Sequence, residues 1–483
     1  MEDGLHAKPR LARSGPAPNV GIVHLGPGAF FRAFNACFTD EAMAQKGGDW
    51  GILAVSLQSA TARDQLEPQG GVFTSVTLDP QGWKPRVVGS LSRTLVAPEN
   101  PKAVIAAMVD PNVKIVSMTI TEKGYCVSVA TGELDLSHPD IEHDLLNPNH
   151  PKSAVGFIVA ALQGRRDASI APFTVLPCDN LPSNGGLARA IVLKFARQID
   201  GALAEWIAET TPFPATMVDR ITPATTQIDI DQLGDMTGYH DPACVFHEDF
   251  RQWVIEDDFI NDRPAWNLAG AQFVTCVEAH EMMKLRCLNG THSTLAYLGY
   301  LAGYETIADT VGNPDFEALC DRLWQDEIIP TLTPPDGEDL TRYCAALMER
   351  YKNPAIQHRT WQIAMDGSQK LPQRLLGTIA DNLVRGVDPN GLILAVAAWM
   401  RYVGGTDDHG HPIDVRDPLA LALRAASDKA VTAAGKVNAL LAFSEIFPAT
   451  LTNDAHFRDL VTKAYVSLSD SGTKRAVRAV LVQ

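Results

Sequence analysis

The chain has 483 residues, 46% of them hydrophobic and 20% charged, so it is long enough for two or three soluble domains with sizeable cores. Its formal net charge of −16 argues against partners that need a basic surface, such as nucleic acid or an anionic membrane. No apolar run approaches the roughly 20 residues of a membrane span, and the polar N-terminus lacks a signal peptide. The eight cysteines form no Cys-x-x-Cys pair, which is typical of reduced thiols in a cytoplasmic protein.

The first half of the chain alternates strand-like and helix-like segments. We predict strands at 19–25, 50–57, 114–121, 173–178 and 216–221, and helices at 29–45 and 103–109. This alternation is typical of an α/β fold in which helices cover both faces of a parallel sheet. After about residue 278 helical patterns dominate. We therefore expect a Rossmann-type dinucleotide-binding domain over 1–278 and a mostly α-helical substrate-binding and catalytic domain over 279–483.

A glycine turn, Gly26-Pro27-Gly28, lies between the first predicted strand and the first predicted helix. Glycines at this place let the backbone approach a pyrophosphate, whose charge is attracted by the helix N-terminus. The third glycine of the usual fingerprint is missing, because Phe31 stands there. The second strand ends in Ser-Leu-Gln-Ser (56–59) rather than in the acid that usually binds the adenosine ribose, and Asp64 comes late. The residues predict a nucleotide site and leave the choice between NAD and NADP open.

Two polar clusters follow later strands, at the edge where open α/β sheets bind their ligands. Residues 178–185 are rich in turn formers and contain Asn184, whose amide is a candidate hydrogen-bond donor to a substrate oxygen. Asp219 and Arg220 place an acid beside a base at the end of the last predicted strand. That pair fits either a structural salt bridge or a functional site.

Lys284, Asn289 and His292 form a Lys-x4-Asn-x2-His pattern on one predicted helix. At about 100° per residue in an α-helix, the three side chains fall within an arc of roughly 140°. A lysine base, an amide donor and an imidazole are what a metal-free enzyme needs to interconvert an alcohol and a ketone. Gly290, in the same helix, indicates the close approach of a ligand or of another backbone. The alternative interpretation is a buried helix that carries some polar residues.

Positive charge gathers further along the chain, in an otherwise acidic protein. Arg359, Lys370 and Arg374 concentrate cations where a substrate carboxylate would bind. His409 and His411 lie in a turn-rich loop, but no third metal ligand is near them in sequence, so we predict a surface loop there.

Together these motifs resemble those of the polyol-specific long-chain dehydrogenase/reductase family, which includes mannitol 2-dehydrogenase. The resemblance covers nearly the whole chain and is carried by residues 23–33, 121–125, 178–180, 217–221 and the pattern from Lys284 to His292. Within the family, the chain is most similar to the branch of fructuronate reductases (D-mannonate oxidoreductases). This further similarity lies in residues 134–145, 151–159, 250–259 and 358–374.

The resemblance implies an NAD(H)-dependent, metal-independent reduction of D-fructuronate to D-mannonate, and the reverse reaction, in hexuronate catabolism. Lys284 would be the general acid/base, and we expect burial or a nearby cation to lower its pKa toward about 7–8. Asn184 and Asn289 would hold the reacting oxygen. The remaining implied site residues are His292 and Lys370 for the sugar chain and Glu281 for proton exchange with solvent.

The resemblance also implies which residues contact or support the cofactor, namely Gly26, Gly28, Phe30, Arg32 and Asp219. One departure from the family pattern is visible. The family usually has His-Arg-Ala-His after the glycines, whereas this chain has Phe31-Arg32-Ala33-Phe34. Any contribution of those two histidines is therefore lost.

Several alternatives stay open at this point. The same chemistry on a neutral polyol would interconvert mannitol and fructose, and another ketouronate, tagaturonate, differs only in stereochemistry. A nucleotide-binding sensor without catalysis belongs to a different class. We expect a monomer or small homo-oligomer in the cytoplasm, whose partner is a small sugar acid or polyol rather than nucleic acid or a membrane.

Overall fold

The computed structural model describes residues 8–128 and 131–482, and the chain divides into two compact units, Met1–Glu278 and Ala279–Gln483. Residues 1–7 belong to the N-terminal stretch in which we expect no signal peptide, and they lie outside the described residues. Within the described ranges, no helix is long and apolar enough to cross a membrane.

Unit 1 is built around a five-stranded parallel sheet with the order β5-β2-β1-β6-β7. The strand order reverses beside the central strand β1, which is where open α/β sheets place their ligands. The predicted α/β class with a Rossmann-type first half is confirmed. The strands of unit 1 are β1 (Val20–Leu25), β2 (Gly51–Ser56), β3 (Phe73–Asp79), β4 (Gly82–Val88), β5 (Leu91–Val96), β6 (Ile115–Met118), β7 (Thr174–Pro177), β8 (Thr216–Asp219), β9 (Val245–His247), β10 (Gln252–Glu256) and β11 (Gln272–Val274).

The central strands are apolar along their whole length because both faces of the sheet are covered. Val23 and Leu53 point into a core that also contains Phe157, whereas Ile22 and Ile52 point into a second core on the opposite face. Successive strand residues alternate between the two faces, so a continuous apolar run fills both cores.

Nine α-helices accompany these strands within the described part of unit 1. The predicted helix over 29–45 is interrupted at Phe34, where the backbone leaves helical geometry. The helices are α1 (Ala29–Ala33), α2 (Asn35–Lys46), α3 (Thr61–Leu66), α4 (Pro101–Val109), α5 (Pro139–Leu146), α6 (Ala154–Asp167), α7 (Asn184–Ile199), α8 (Gly201–Thr210) and α9 (Gln227–Thr237).

Strand β8 does not continue the parallel series, so that part of the prediction is wrong. It pairs antiparallel with β10 in a separate three-stranded sheet, and β3, β4 and β9 form a third sheet. The reason is a side chain: the Asn184 amide accepts from the Thr216 N–H and donates to the Thr216 carbonyl, at 2.9 Å each. The Asn184 side chain thus makes the main-chain hydrogen bonds of Thr216 that a neighbouring strand would otherwise make.

The second half of the chain is helical, as predicted. Residues 391–400 of its central helix are all buried, which is why that segment is apolar on every side. The helices are α10 (Glu278–Met283), α11 (Thr291–Leu301), α12 (Ile307–Val311), α13 (Pro314–Arg322), α14 (Leu340–Lys352), α15 (Thr360–Ala364), α16 (Gly367–Leu371), α17 (Gly377–Val384), α18 (Asn390–Val403), α19 (Ala420–Lys429), α20 (Ala433–Leu441), α21 (Ala449–Thr452), α22 (Ala455–Ser471) and α23 (Thr473–Leu481).

Candidate active site

Unit 1 contains a cavity of about 1340 Å³ at the carboxyl ends of the parallel strands. Its walls come from the segments that follow β1, β2, β5 and β6, and from the start of α6. The lining residues fall into five groups: 26–29 with Arg32; 56–59, 61, 62 and 65; 97–102; 119–121, 123, 124 and 126; and 138, 140, 143 and 150–154.

The glycine turn lies in the wall of this cavity, and its two glycines are needed for different reasons. Gly26 has φ +92°, and a Cβ there would meet the Thr119 carbonyl oxygen at 2.3 Å. Gly28 faces open space, because the nearest atom to an added Cβ is the Gly26 oxygen at 4.0 Å. The first glycine therefore permits the turn, and the second leaves a bare backbone that a ligand can approach.

An aromatic stack explains the missing third glycine of the fingerprint. The ring of Phe31, on α1, lies parallel to the imidazole of His24, on β1, with 3.6 Å between ring centroids. Burial lowers the pKa of His24 to about 3, and its two ring nitrogens hydrogen-bond to Ser117 and Thr119 on the neighbouring strand segment. Where the usual fingerprint has a glycine for close helix–strand packing, this chain uses a neutral histidine and a phenylalanine.

Two of the predicted cofactor residues lie away from the lining of this cavity, whereas a third, Arg32, is part of it. Phe30 and Asp219 are not among the described residues that line the cavity, and Phe30 instead stacks on Phe34. Arg32 lines the cavity, but its guanidinium donates to the Pro27 carbonyl at 2.7 Å and so supports the glycine turn. Phe31 and Phe34, which replace the family histidines, are both buried in the core.

Asn184 is a further correction, because its amide has no hydrogen left for a substrate. The side chain is fully buried, and its nitrogen donates to the carbonyls of Asp179 and Thr216. Arg220 likewise donates to main-chain carbonyls, those of Ala33 and Glu248. Asn184 therefore joins the ends of β7 and β8 and does not stabilise a reacting oxygen.

Asp179 ties one wall of the cavity to the end of β7. Its carboxyl group accepts from the Ile120 N–H at 2.6 Å and from the Tyr125 hydroxyl. Burial raises the pKa of Asp179 to about 7, although both hydrogen bonds act in the opposite direction. A carboxyl whose folded-state pKa is raised stabilises the fold at low pH, and that contribution is lost as the pH rises through about 7.

We therefore expect Asp179→Asn to become more stable relative to the wild type as the pH rises. Asparagine keeps an acceptor for Ile120, offers Tyr125 a donor and cannot ionise. Urea unfolding at about pH 5 and about pH 8 should show the difference between the two proteins growing by up to about 2.5 kcal/mol. Asp231→Asn, at an exposed position, is the control. An equal difference at both pH values would contradict this assignment.

The Lys-x4-Asn-x2-His pattern is continuous with α10 and α11 but is not α-helical where it begins. Residues Lys284–Gly290 form a π-helical segment, whose hydrogen bonds run between residues five apart. Lys284 and Asn289 are therefore closer to one face than the same spacing would put them in an α-helix. The expected separation of roughly 140°, which assumes an α-helix, is wrong for this pair. Such π-helical turns are frequent at functional sites.

Gly290 ends this segment and confirms the expected close approach of another backbone. A Cβ there would lie 3.0 Å from the Arg374 carbonyl oxygen. Arg374 belongs to a second π-helical segment, Pro372–Leu376. The glycine therefore allows two π-helical segments to touch, and it brings residues 370–376 next to the Lys284 segment.

His292 and His358 form a buried imidazole pair in unit 2. Their ring centroids are 4.5 Å apart, and His292 also stacks on Tyr351. Burial is the main cause that lowers both pKa values, well below the ordinary value for His292 and to about 4 for His358. Within the described residues, His292 Nε2 and His358 Nδ1 have no hydrogen-bond partner. Two neutral rings thus keep a polar atom available for a ligand.

Three cations surround the imidazole pair. Arg350, Lys370 and Arg374 all lower the pKa of both histidines, so their positive charges lie close to both rings. Lys370 Nζ donates to the Met365 carbonyl at 2.6 Å, and Arg374 donates to the Ser293 hydroxyl at 3.1 Å. Neither of these two acceptors is an anion.

Arg359 does not belong to this group of cations. It forms an exposed ion pair with Glu305, and its backbone caps α15 and bridges to the buried Thr306. Sequence reasoning missed Arg350 and His358 instead. Arg350 is distant in sequence from the other cations. His358 stands directly before Arg359, so the sequence indicated the right stretch of the chain, but we chose Arg359 instead of His358.

Lys284 is buried, whereas Glu281 and Asn289 are half-buried on the same continuous helical segment. Cys287, which we interpret as a packing residue, is buried too.

His411 pairs with Asp407 in the predicted surface loop. Among the described residues, no group of three or more potential metal ligands occurs.

Both halves of the chain match models of one protein family. Residues 20–268 match the mannitol dehydrogenase Rossmann domain, and residues 276–469 match the mannitol dehydrogenase C-terminal domain. The chain is 47% identical to the D-mannonate oxidoreductase of Escherichia coli (strain K12) over 464 residues, which is 95% of each protein. An uncharacterised oxidoreductase of the same organism, YdfI, is 45% identical over 458 residues, or 94% of each.

A solved structure agrees with these sequence matches. The mannitol 2-dehydrogenase of Pseudomonas fluorescens, in a ternary complex with NAD and D-mannitol, has a TM-score of 0.86 and 39% identity. The alignment covers 96% of this chain and 95% of that one. The fold and these matches define an oxidoreductase that acts on CH–OH groups. Within that class, the chain belongs to the mannitol dehydrogenase family.

Proposed function

We propose that this protein is an NAD(H)-dependent, metal-independent reductase that converts D-fructuronate to D-mannonate and catalyses the reverse reaction. The observation that carries the proposal is the group formed by buried Arg350 and half-buried Lys370 and Arg374 around His292 and His358. Three cations close to one pair of neutral histidines suit a substrate that bears a carboxylate. The 47% identity to a D-mannonate oxidoreductase supports the same substrate class.

The cavity of unit 1 fits a dinucleotide. Its glycine turn follows the central strand at the switch point of the sheet, and the open space above Gly28 leaves room for a pyrophosphate. NAD in the related Pseudomonas enzyme supports the choice of cofactor. When bound, NADH supplies the hydride that reduces the ketone carbon. Unit 1 would thus be the NAD-binding domain, and unit 2 would be the substrate-binding and catalytic domain.

Lys284 would supply the proton that completes the reduction. In the direction of D-mannonate, its ammonium donates a proton to the ketone oxygen as that oxygen becomes a hydroxyl group. In the reverse direction, the neutral amine accepts the hydroxyl proton. Glu281, one helical turn before Lys284, would exchange that proton with solvent.

Asn289 would stabilise the negative charge that develops on the reacting oxygen. The π-helical turn, which brings residues five apart closer to one face than an α-helix does, supports this role. One such donor typically contributes a few kcal/mol. His292, held neutral by burial, would hydrogen-bond to a substrate hydroxyl through Nε2. Lys370 and Arg374 would bind the far end of the chain, with Arg350 adding to the charge.

Interconversion of mannitol and fructose is the second candidate, because the Pseudomonas relative was solved with D-mannitol. The test is NADH oxidation by the purified, chelator-treated enzyme with fructuronate, tagaturonate and fructose side by side. Strong preference for fructuronate would support the proposal, and preference for tagaturonate would retain the carboxylate site but change the stereochemistry. Preference for fructose would refute the uronate assignment, and inactivity with all three despite NADH binding would point to a sensor.

A further inference from the structure

The adenosine end of the unit 1 cavity lacks the usual selectivity residue. An acid at the end of the second strand normally hydrogen-bonds to the ribose 2′-hydroxyl and disfavours the 2′-phosphate of NADP. Here β2 is followed by Ser-Leu-Gln-Ser at 56–59, all of which line the cavity. The sequence alone therefore left the choice of nucleotide open.

The neighbouring strand β5 supplies an acid to the same place. In the parallel pairing of β2 with β5, Ser56 lies opposite Val96, and the Ala97 N–H donates to the Ser56 carbonyl at 2.8 Å. Ser59 and Glu99 are each three residues beyond this paired position. Both line the cavity. Glu99 thus stands beside the position that the acid of the second strand usually occupies.

Glu99 also binds a cation that lies beside this end of the cavity, between the lining residues Ala62 and Gln65 in sequence. Arg63, in α3, forms an ion pair with Glu99 and donates from Nε to Asp64 Oδ1 at 2.9 Å. Guanidinium groups are the usual ligands of a 2′-phosphate. Here the carboxylates of Glu99 and Asp64 already bind the Arg63 guanidinium. The three side chains together carry a net negative charge. Two further cations lie nearby: Lys102 is exposed on the same wall, and Arg10 donates to the main-chain carbonyls of Asp64 and Gln65.

We propose that Glu99 sets the preference of this protein for NAD over NADP, by holding Arg63 and by placing a negative charge where a 2′-phosphate would bind. The inference rests on the proposed function, because it requires a dinucleotide in this cavity. Glu99, which follows the adjacent strand β5, thus disfavours the 2′-phosphate. For this reason the chain needs no acid after β2.

The test compares binding of two ligands that contain no nicotinamide, ADP-ribose and 2′-phospho-ADP-ribose, by titration calorimetry. The wild type should bind ADP-ribose more tightly. Glu99→Gln should improve binding of the 2′-phosphorylated ligand by about tenfold, because it removes one charge and releases Arg63, with little change for ADP-ribose. Adding Arg63→Ala to that variant should remove most of the gain.

A matched control is Glu133→Gln. Glu133 forms an ion pair with Lys194, and the side chains are 66% and 31% exposed, against 53% and 32% for Glu99 and Arg63. Glu133 does not line the cavity, so both affinities should stay as in the wild type. An unchanged ratio in Glu99→Gln, with intact ADP-ribose binding, would overturn this inference alone. A wild type that binds neither ligand would overturn the proposed cofactor and this inference together.

Discussion

Lys284→Ala is expected to lower turnover of fructuronate by about 100- to 10 000-fold, the range typical for loss of a general acid/base. The reason is that no other amine on the π-helical segment can deliver a proton to the ketone oxygen. Binding of NADH, measured by fluorescence titration, should stay within about threefold of the wild type, because the proposed cofactor residues belong to the other unit.

The chemical role of the amine can be separated from packing. Lys284→Met keeps the buried aliphatic chain and should be as inactive as the alanine variant. Lys429→Ala, at an exposed position in the same unit, should retain full activity. Near-normal turnover in Lys284→Met would refute the assignment of Lys284 as the proton donor.

Arg374→Ala is expected to lower kcat/KM for fructuronate by about 10- to 100-fold, the effect of losing one charge-assisted hydrogen bond to a carboxylate. The same variant should change the residual activity with fructose by less than about threefold, because a neutral ketose has no carboxylate. The ratio of the two kcat/KM values therefore isolates the charge contribution from any general damage to the site.

Arg359→Ala is the matched control for this measurement. Arg359 lies on the same stretch of sequence but forms an exposed ion pair with Glu305, so neither substrate should be affected. Equal losses for fructuronate and fructose in Arg374→Ala would show that Arg374 supports the fold of the site rather than binds a carboxylate.

Most of the fold was predictable because its signals are local. The central strands are continuous apolar runs, and the C-terminal helices show helical periodicity. Strand β8 was mispredicted because its partner is set by a side chain far along the chain, the Asn184 amide that binds Thr216. No local pattern distinguishes a strand that joins the sheet from one that is held beside it by an asparagine.

The site was predicted less completely, for the same physical reason. Gly26, Gly28 and Lys284 carry recognisable motifs, whereas the groups around His292 come from three separate helices and a loop. Arg350 has no motif of its own, and its closeness to His292 and His358 depends on how α14 packs. Motif reasoning also gave Asn184 a chemical role, although its amide is already saturated by main-chain carbonyls.

The π-helical segment at Lys284–Gly290 makes the backbone hydrogen-bond pattern a property on which the proposed function depends. In a regular α-helix, the five-residue spacing from Lys284 to Asn289 would turn the amide by about 140° from the lysine. The π-helical hydrogen bonds reduce that angle without changing the number of residues. Exchanges at the intervening positions that favour a regular α-helix would therefore separate the lysine from the amide, although both residues are retained.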